Sequence, residues 1–139
     1  MVDHLAEVRA LNLPLGTYIV AGGSCLDVKG IRTSDDIDIV VTPEVFEELK
    51  SRGWQVDLPF KEKWNRERLK HGYFEVYTDL SLENGHYTPA AEIIPKAELI
   101  EGLAFMRLDE LIYWKRINGR PKDLEDIRMI EAYLQKTNA

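Results

Sequence analysis

Two short motifs, a glycine pair and an alternating aspartate pair, constrain this chain more than any other feature. The apolar run Tyr18–Ala21 ends in Gly22-Gly23-Ser24, and eleven residues separate Ser24 from Asp36-Ile37-Asp38-Ile39, which opens the next apolar run. Residues i and i+2 of a strand point to the same face. We therefore expect two buried strands here, with Asp36 and Asp38 projecting together from the second while the isoleucines face the core.

These residue types suit a cation and a phosphate. Two carboxylates held close together repel each other unless a cation neutralises them. Mg²⁺ prefers oxygen ligands and is usually bound by one or two carboxylates together with substrate phosphates. Glycines leave the backbone open, and N–H groups at a helix start can receive a phosphate. Each motif alone has an ordinary explanation, as a strand-to-helix turn or a solvated strand end. Together they predict metal binding at Asp36 and Asp38, and phosphate binding at Gly22, Gly23 and Ser24.

The pair of motifs resembles the signature of the nucleotidyltransferase superfamily typified by DNA polymerase β. The matching residues are Ala21-Gly22-Gly23, the segment 30–35 and Asp36-Ile37-Asp38. The resemblance is closest to the small stand-alone branch, which includes lincosamide nucleotidyltransferases and the minimal enzymes of toxin–antitoxin pairs. It implies one domain over residues 1–139 with an α/β (α+β) fold, a small mixed sheet flanked by helices. It also implies transfer of a nucleoside monophosphate from a nucleoside triphosphate, ATP among them, to an acceptor hydroxyl by a two-metal mechanism with Mg²⁺ or Mn²⁺.

The resemblance implies a third acid on a neighbouring strand. The segment 73–80 alternates and predicts a strand with Glu75, Tyr77 and Asp79 on one face. Phe74-Glu75-Val76 fits the apolar–acid–apolar pattern of the superfamily, so Glu75 is the preferred third catalytic and metal-binding acid. Because Glu is one methylene longer than the Asp of many members, Asp79 stays open as its substitute.

Cations in the last third of the chain are predicted to bind the triphosphate. The segment 114–126 is similar to the C-terminal part of stand-alone nucleotidyltransferases, and a helix N-terminus with cations attracts anions. Lys115 or Lys122 would hold the phosphates, and Arg32 is assigned to the nucleotide as well. Surface pairing of Arg120 and Lys122 with the acids at 123, 125 and 126 is the alternative. The basic stretch 61–71 is either a solvated face or a lip that steers phosphates toward the site.

Periodicity, capping residues and turn residues predict the other elements. We expect helices at 2–12, 24–28, 43–52, 108–118 and 122–136, and strands at 17–21, 36–41, 54–58 and 73–80, with a hairpin over 97–106. At single positions, we expect Ser24 to cap its helix, Cys25 to be buried and His86 to be exposed. We expect a turn at Asn84-Gly85. The apolar face of the last helix is predicted to consist of Leu124, Ile127, Ile130 or Met129, and Leu134.

Composition limits the partners. A formal charge of −6 argues against general binding of duplex DNA, and the single cysteine favours a reducing, cytoplasmic compartment. No leader and no membrane-spanning run is expected. The acceptor stays open among a small molecule, a protein and tRNA, and a protein partner or homo-oligomer is possible. The alternatives to an independent enzyme are a non-catalytic binding module of the same fold and a toxin–antitoxin component.

Overall fold

A computed structural model describes residues 2–82 and 85–137, which form a mixed α/β structure. The α-helices in this part of the chain are α1 His4–Leu11, α2 Gly23–Asp27, α3 Pro43–Ser51, α4 Leu58–Trp64, α5 Ala90–Ile93, α6 Leu108–Asn118 and α7 Pro121–Thr137, and a 3-10 turn covers Ile94–Lys96. The strands are β1 Tyr18–Ala21, β2 Ile37–Val41, β3 Gln55–Val56, β4 Leu69–His71, β5 Phe74–Tyr77, β6 Asp79–Ser81, β7 Tyr87–Pro89, β8 Ala97–Ile100 and β9 Leu103–Met106.

The central sheet has seven strands in the order β3-β4-β5-β2-β1-β9-β8. The two middle strands, β1 and β2, are antiparallel, and each has a parallel neighbour on its outer side, β9 and β5 respectively. The outer pairs are antiparallel. The middle strands are covered on both faces, which explains their almost continuous apolar sequences. The predicted mixed sheet flanked by helices is therefore confirmed.

Local signals account for most helix and turn boundaries. The Thr42 side chain accepts a hydrogen bond from the Val45 N–H, and Pro43 opens α3 as predicted. Gly119 has a φ of 65° and ends α6. Glu101 and Gly102 have φ values of 49° and 80°, so both turn residues of the β8–β9 hairpin are left-handed, as a tight two-residue loop requires.

The structure corrects the predicted strand over 73–80, which is divided. β5 stays in the central sheet only while β2 provides partners, and the last aligned pair is Val40 with Tyr77. The chain then leaves the sheet, and β6 pairs with β7 in a separate two-stranded sheet. The basic stretch 61–71 is also divided, because it supplies the end of α4 and the whole of β4. Asn84 of the predicted turn lies outside the described residues.

Three predictions about single side chains have different outcomes. Cys25 is fully buried, as expected. Leu124, predicted on the apolar face of α7, is 55% exposed, because the buried face of this helix instead carries Asp123, Asp126, Ile127 and Ile130. His86 is not simply exposed: it is half-buried, and its ring lies edge-on to Trp114 with 4.9 Å between centroids. None of the described helices combines the length and apolar character that crossing a bilayer requires.

Candidate active site

The glycine turn at Gly22 lies in close contact with Asp38, the second aspartate of the pair. β1 ends at Ala21, which aligns with Asp38 of the antiparallel β2. Gly22 follows with φ 66° and ψ −149°, a conformation that is essentially restricted to glycine. A Cβ atom built on Gly22 would lie 2.6 Å from Oδ2 of Asp38. Glycine is therefore required here both by the backbone conformation and by the approach of the carboxylate.

Gly23 and Ser24 begin α2 immediately after the turn. A Cβ atom on Gly23 would lie 2.5 Å from Oγ of Ser34, so this position is also tightly packed. The prediction that Ser24 caps α2 is wrong, because Gly22 occupies the N-cap position. The Ser24 side chain is completely buried and is hydrogen-bonded within the protein. At this residue only the backbone, and not the hydroxyl, is left as a candidate for phosphate binding.

The carboxylates of neighbouring strands lie side by side. β2 and β5 are parallel, and their register aligns Asp38 with Glu75. Asp36 lies just before β2 and is exposed. Burial, together with the negative charges of Glu75 and Asp36, raises the pKa of Asp38 to about 6, while Arg68 and Lys115 oppose the shift. The sheet thus concentrates negative charge at a desolvated position, which is a donor set suited to a hard dication.

The two candidates for the third acid have different environments. Glu75 is aligned with Asp38 on the next strand, and its Oε2 is paired with Arg68. Asp79 lies on β6, outside the central sheet, and is paired with Arg66 and with the Ser81 hydroxyl at 2.9 Å. The geometry therefore favours Glu75. Within residues 2–82 and 85–137, no three His, Cys, Asp or Glu side chains are already arranged as a metal site. Asp36 and Asp38 could hold a Mg²⁺ ion if phosphate and water supplied its remaining ligands.

A cavity of about 630 Å³ opens beside these acids. Its lining includes Phe60, Tyr77 and two arginines from the basic stretch, Arg66 and Arg68. The Arg68 guanidinium lies 4.4 Å from the Phe60 ring centre and donates to the Tyr77 hydroxyl at 2.8 Å. Burial and the nearby carboxylates raise the pKa of Tyr77, so its phenol stays protonated. The lining therefore offers aromatic faces and hydrogen-bond donors next to the acids.

Sequence reasoning did not assign Phe60 or Tyr77 to the site. Tyr77 could have been found, because it lies two residues from Glu75 and so shares its strand face. Phe60 gave no such signal. It reaches the cavity because α4 places its ring edge-on to Tyr77, with 6.0 Å between the ring centres. The basic stretch was left open between a solvated face and a lip, and Arg66 and Arg68 do line the cavity.

A second cavity of about 570 Å³ lies on the other side of the turn and shares Gly22 and Asp38 with the first. Three paired charged side chains, Arg32, Lys115 and Asp126, line this cavity and form an ion network. Arg32 binds Asp126 through two hydrogen bonds of 2.8 and 2.9 Å, and Lys115 reaches the same carboxylate at 2.8 Å. Burial disfavours the charged carboxylate, but Arg32 and Lys115 outweigh burial and lower the pKa of Asp126 to about 2.

The predicted phosphate-binding cations are therefore held in different ways. Arg32 and Lys115 line the second cavity but are already paired with Asp126. Arg120 pairs with Asp123 at 2.7 Å, but Asp123 is buried, so the pair differs from the surface pairing given as the alternative. Lys122 is exposed and lines both cavities, and none of the salt bridges among the described residues involves it. Lys122 is thus the cation most readily available to a ligand that spans the two cavities.

Comparison with protein-family models, with curated proteins and with solved structures found no match to this chain.

Proposed function

We propose that the protein is a metal-dependent nucleotidyltransferase. It would transfer a nucleoside monophosphate from a nucleoside triphosphate to an acceptor hydroxyl. One observation carries the proposal: Asp38 lies against the bare backbone of Gly22 on one side and is aligned with Glu75 on the other. A glycine turn supplies phosphate binding and paired carboxylates supply metal binding, and the fold brings the two together where both cavities meet.

Different residues of the chain would bind the metal and the phosphates. Asp36 and Asp38 would hold Mg²⁺ or Mn²⁺, with Glu75 completing a second position. A bound dication neutralises phosphate charge and stabilises the attacking and leaving oxygens. The backbone of Gly22 and Gly23 would receive the phosphates, and Lys122 would approach the triphosphate from the shared rim. Arg66 and Arg68 line the first cavity and would bind phosphate oxygens once their pairs with Asp79 and Glu75 are released.

The transfer step balances without any further reactant. The acceptor oxygen forms a bond to the α-phosphorus, and the bond from that phosphorus to the bridging oxygen breaks. Pyrophosphate leaves with the electron pair. The acceptor proton passes to a carboxylate, for which Glu75 is best placed once its pairing with Arg68 is released.

That same ion pair favours a second candidate function. With Glu75 paired to Arg68, and Lys115 and Arg32 paired to Asp126, several groups needed for transfer are occupied by other protein side chains. A module that binds a nucleotide without transferring it would have this arrangement. So would a toxin–antitoxin component that needs its partner before acting on a protein or tRNA.

Labelling separates these functions. The protein is incubated with Mg²⁺ and each α-labelled nucleoside triphosphate, with cell extract as the source of acceptors. We expect one nucleotide to label one small molecule, protein or RNA species, and Asp38→Asn to abolish the labelling. Asp35→Asn is the matched control, because Asp35 is an exposed neighbour that lines neither cavity.

Equilibrium binding of the same nucleotides distinguishes the alternatives. Mg²⁺-dependent binding without labelling supports the non-transferring module. If no nucleotide binds in the presence of Mg²⁺, or if Asp38→Asn labels as well as the unchanged protein, the proposed function is wrong.

A further inference from the structure

A buried histidine contacts the serine that follows the glycine turn, and it lines neither cavity. His4 is on α1 and is only 2% exposed. Its Nδ1 lies 2.7 Å from the Ser24 hydroxyl, and its Nε2 lies 2.9 Å from the Ser34 carbonyl oxygen and 3.3 Å from Oδ2 of Asp27. A carbonyl oxygen can only accept, so Nε2 carries a proton. Both ring nitrogens are therefore committed to other elements of the chain.

The partners of His4 all converge on one backbone group. The Ser24 hydroxyl lies 3.3 Å from the Asp36 carbonyl oxygen as well as 2.7 Å from Nδ1 of His4, so its one proton is shared between these two acceptors. The Ser34 hydroxyl donates to the same carbonyl oxygen at 3.2 Å. Asp27 accepts from the Ser34 N–H at 2.8 Å and so fixes Ser34 in place. The network thus runs from α1, through α2 and the connection to β2, to the peptide that carries the first metal-binding aspartate.

Besides this network, the connection from α2 to β2 is held by the Arg32–Asp126 pair. Residues 28–36 contain neither helix nor strand. Asp38 is held by neighbouring strands on both sides, and Asp36 lies just outside β2. The peptide that joins Asp36 to Ile37 donates through its N–H to the Tyr73 carbonyl at 2.8 Å, and its carbonyl faces the two serine hydroxyls. The hydroxyls therefore fix the carbonyl side of this peptide, and with it the position of the Asp36 carboxylate relative to Asp38.

We propose that His4 is a positioning residue for Asp36: through Ser24 and Ser34 it fixes the backbone that sets the spacing of the two metal-binding aspartates. This inference rests on the proposed function, because it takes Asp36 as a metal ligand. Partners that orient metal ligands are commonly hydrogen-bonded groups behind them, and their loss weakens metal binding 10- to 100-fold.

The same atoms do not form a hydrolytic triad. Ser24 contacts His4, and His4 contacts Asp27, as in a Ser-His-Asp triad. The Ser24 side chain, however, has no exposed surface. A substrate carbonyl cannot reach a nucleophile that is enclosed on every side. The network therefore acts on the protein itself.

The test compares metal affinity with stability in matched variants. Ser24→Ala removes the hydroxyl that relays His4 to Asp36 with little change in volume, and His4→Leu removes the histidine. Val8→Ala is the control, since Val8 is buried on the same helix but takes no part in the network.

Mn²⁺ binding is measured by titration well below the melting temperature of each variant. We expect Ser24→Ala and His4→Leu to weaken Mn²⁺ binding about 10-fold or more, and Val8→Ala to lower the melting temperature without changing Mn²⁺ affinity.

A second measurement, amide hydrogen exchange, needs no metal and tests the positioning role even if one variant folds too poorly for titration. Amide hydrogen exchange at residues 34–37 should accelerate in Ser24→Ala and stay unchanged in Val8→Ala. Unchanged exchange there, or equal loss of Mn²⁺ affinity in Val8→Ala, would overturn the positioning role while leaving the nucleotidyltransferase proposal intact. If the unchanged protein binds no Mn²⁺ although exchange responds as expected, the network orders the loop but the metal site, and the proposed function with it, is wrong.

Discussion

At the scale of single residues, Gly22 and Asp38 are adapted to each other. A side chain on Gly22 would have to occupy the space that already holds the Asp38 carboxylate, at a backbone conformation that only glycine adopts easily. The carboxylate therefore lies directly against peptide groups. A phosphate that approaches this turn meets the backbone and the acid at the same time.

Gly22→Ala tests the close approach. We expect it to abolish metal and nucleotide binding, because the new methyl group displaces the Asp38 carboxylate. It should also lower the free energy of unfolding by about 2–4 kcal/mol, through backbone strain together with the clash. Urea unfolding and Mn²⁺ titration measure the two effects.

Gly30→Ala is the matched control for this substitution. Gly30 also has a positive φ, 74°, but a Cβ atom there meets nothing within 4 Å. It should cost about 1–2 kcal/mol from backbone strain alone and leave Mn²⁺ binding unchanged. Equal loss of binding in the two variants would show that strain, and not contact with Asp38, controls the site.

Asp38 carries a stability cost that depends on pH. Its folded pKa, about 6, lies above its ordinary value near 4, so the folded state binds this proton more tightly than the unfolded state. The metal-free protein is therefore destabilised by this group above pH 6, and the destabilisation disappears as the pH falls below about 4. We expect Asp38→Asn to stabilise the metal-free protein by about 1–3 kcal/mol at pH 7.5 and by almost nothing at pH 4.

Denaturant unfolding in the presence of a chelator, at several pH values, measures this difference. Asp35→Asn should show no such pH-dependent gain, because Asp35 is exposed. A gain for Asp38→Asn that is the same at pH 4 and pH 7.5 would mean that its cause is packing and not charge.

At the scale of secondary-structure elements, the site depends on which strands are neighbours. The alternation of acids and apolar residues in the sequence indicates the face on which Asp38 and Glu75 lie. It does not indicate that β5 runs parallel to β2 with those residues aligned, since that register is set by packing across the sheet. A shift of one residue in register would turn Glu75 to the opposite face.

The elements that sequence reasoning missed share a physical cause. β4 has only three residues within a charged stretch, and it forms because β3 and β5 lie on either side of it. Asp126 reads as a surface acid in a long helix, but it is buried because Arg32 and Lys115, distant in sequence, meet there. Strong local signals, such as the glycine pair, the capped α3 and the β8–β9 turn, were sufficient to predict their own elements. Long-range ion pairs and short strands were not predictable locally.

The ion network joins α6 and α7 to the connection that precedes β2. Asp126→Asn leaves Arg32 and Lys115 without their shared carboxylate, and loss of one member of a buried ion pair is costly. We expect a loss of about 3 kcal/mol at neutral pH, measured by urea unfolding. Because the pKa of Asp126 is lowered to about 2, its stabilisation is present above pH 4 and is lost as the pH falls toward 2. The difference between the two proteins should therefore shrink in acid.

Glu125→Gln is the neighbouring control on α7. Glu125 is exposed and pairs with Arg128 on the same helix, so its replacement should change stability little at any pH. If Glu125→Gln were as destabilising as Asp126→Asn, general charge effects on α7 and not the buried network would explain the loss.

At the scale of the whole molecule, the two cavities meet at Gly22 and Asp38, and both reach Arg120 and Lys122. The first cavity is lined by the sheet, α4 and β6, and the second by the segment around Arg32 and the α6–α7 region. The protein carries a net charge of −6, but the cations and acids that line the two cavities are equal in number. A polyanion with a dication would contact the glycine turn, the sheet edge around Asp38 and Glu75, and the α6–α7 region.

Ligand binding at such a junction should stabilise the fold as a unit. A ligand that binds only the folded state stabilises it by about 2.7 kcal/mol when present at 100 times its dissociation constant. For a chain of this size, that corresponds to a rise of about 10 °C in melting temperature. We expect this rise with Mg²⁺ and a non-hydrolysable nucleoside triphosphate together, and a smaller rise with either alone, because in the proposed site Asp36, Asp38 and the phosphates would share the metal. In the Asp36→Asn, Asp38→Asn double variant the rise should be absent, whereas Asp35→Asn should retain it. A single calorimetric transition that moves as a whole would show that the junction couples the entire fold, and a rise that persists in the double variant would place the nucleotide elsewhere.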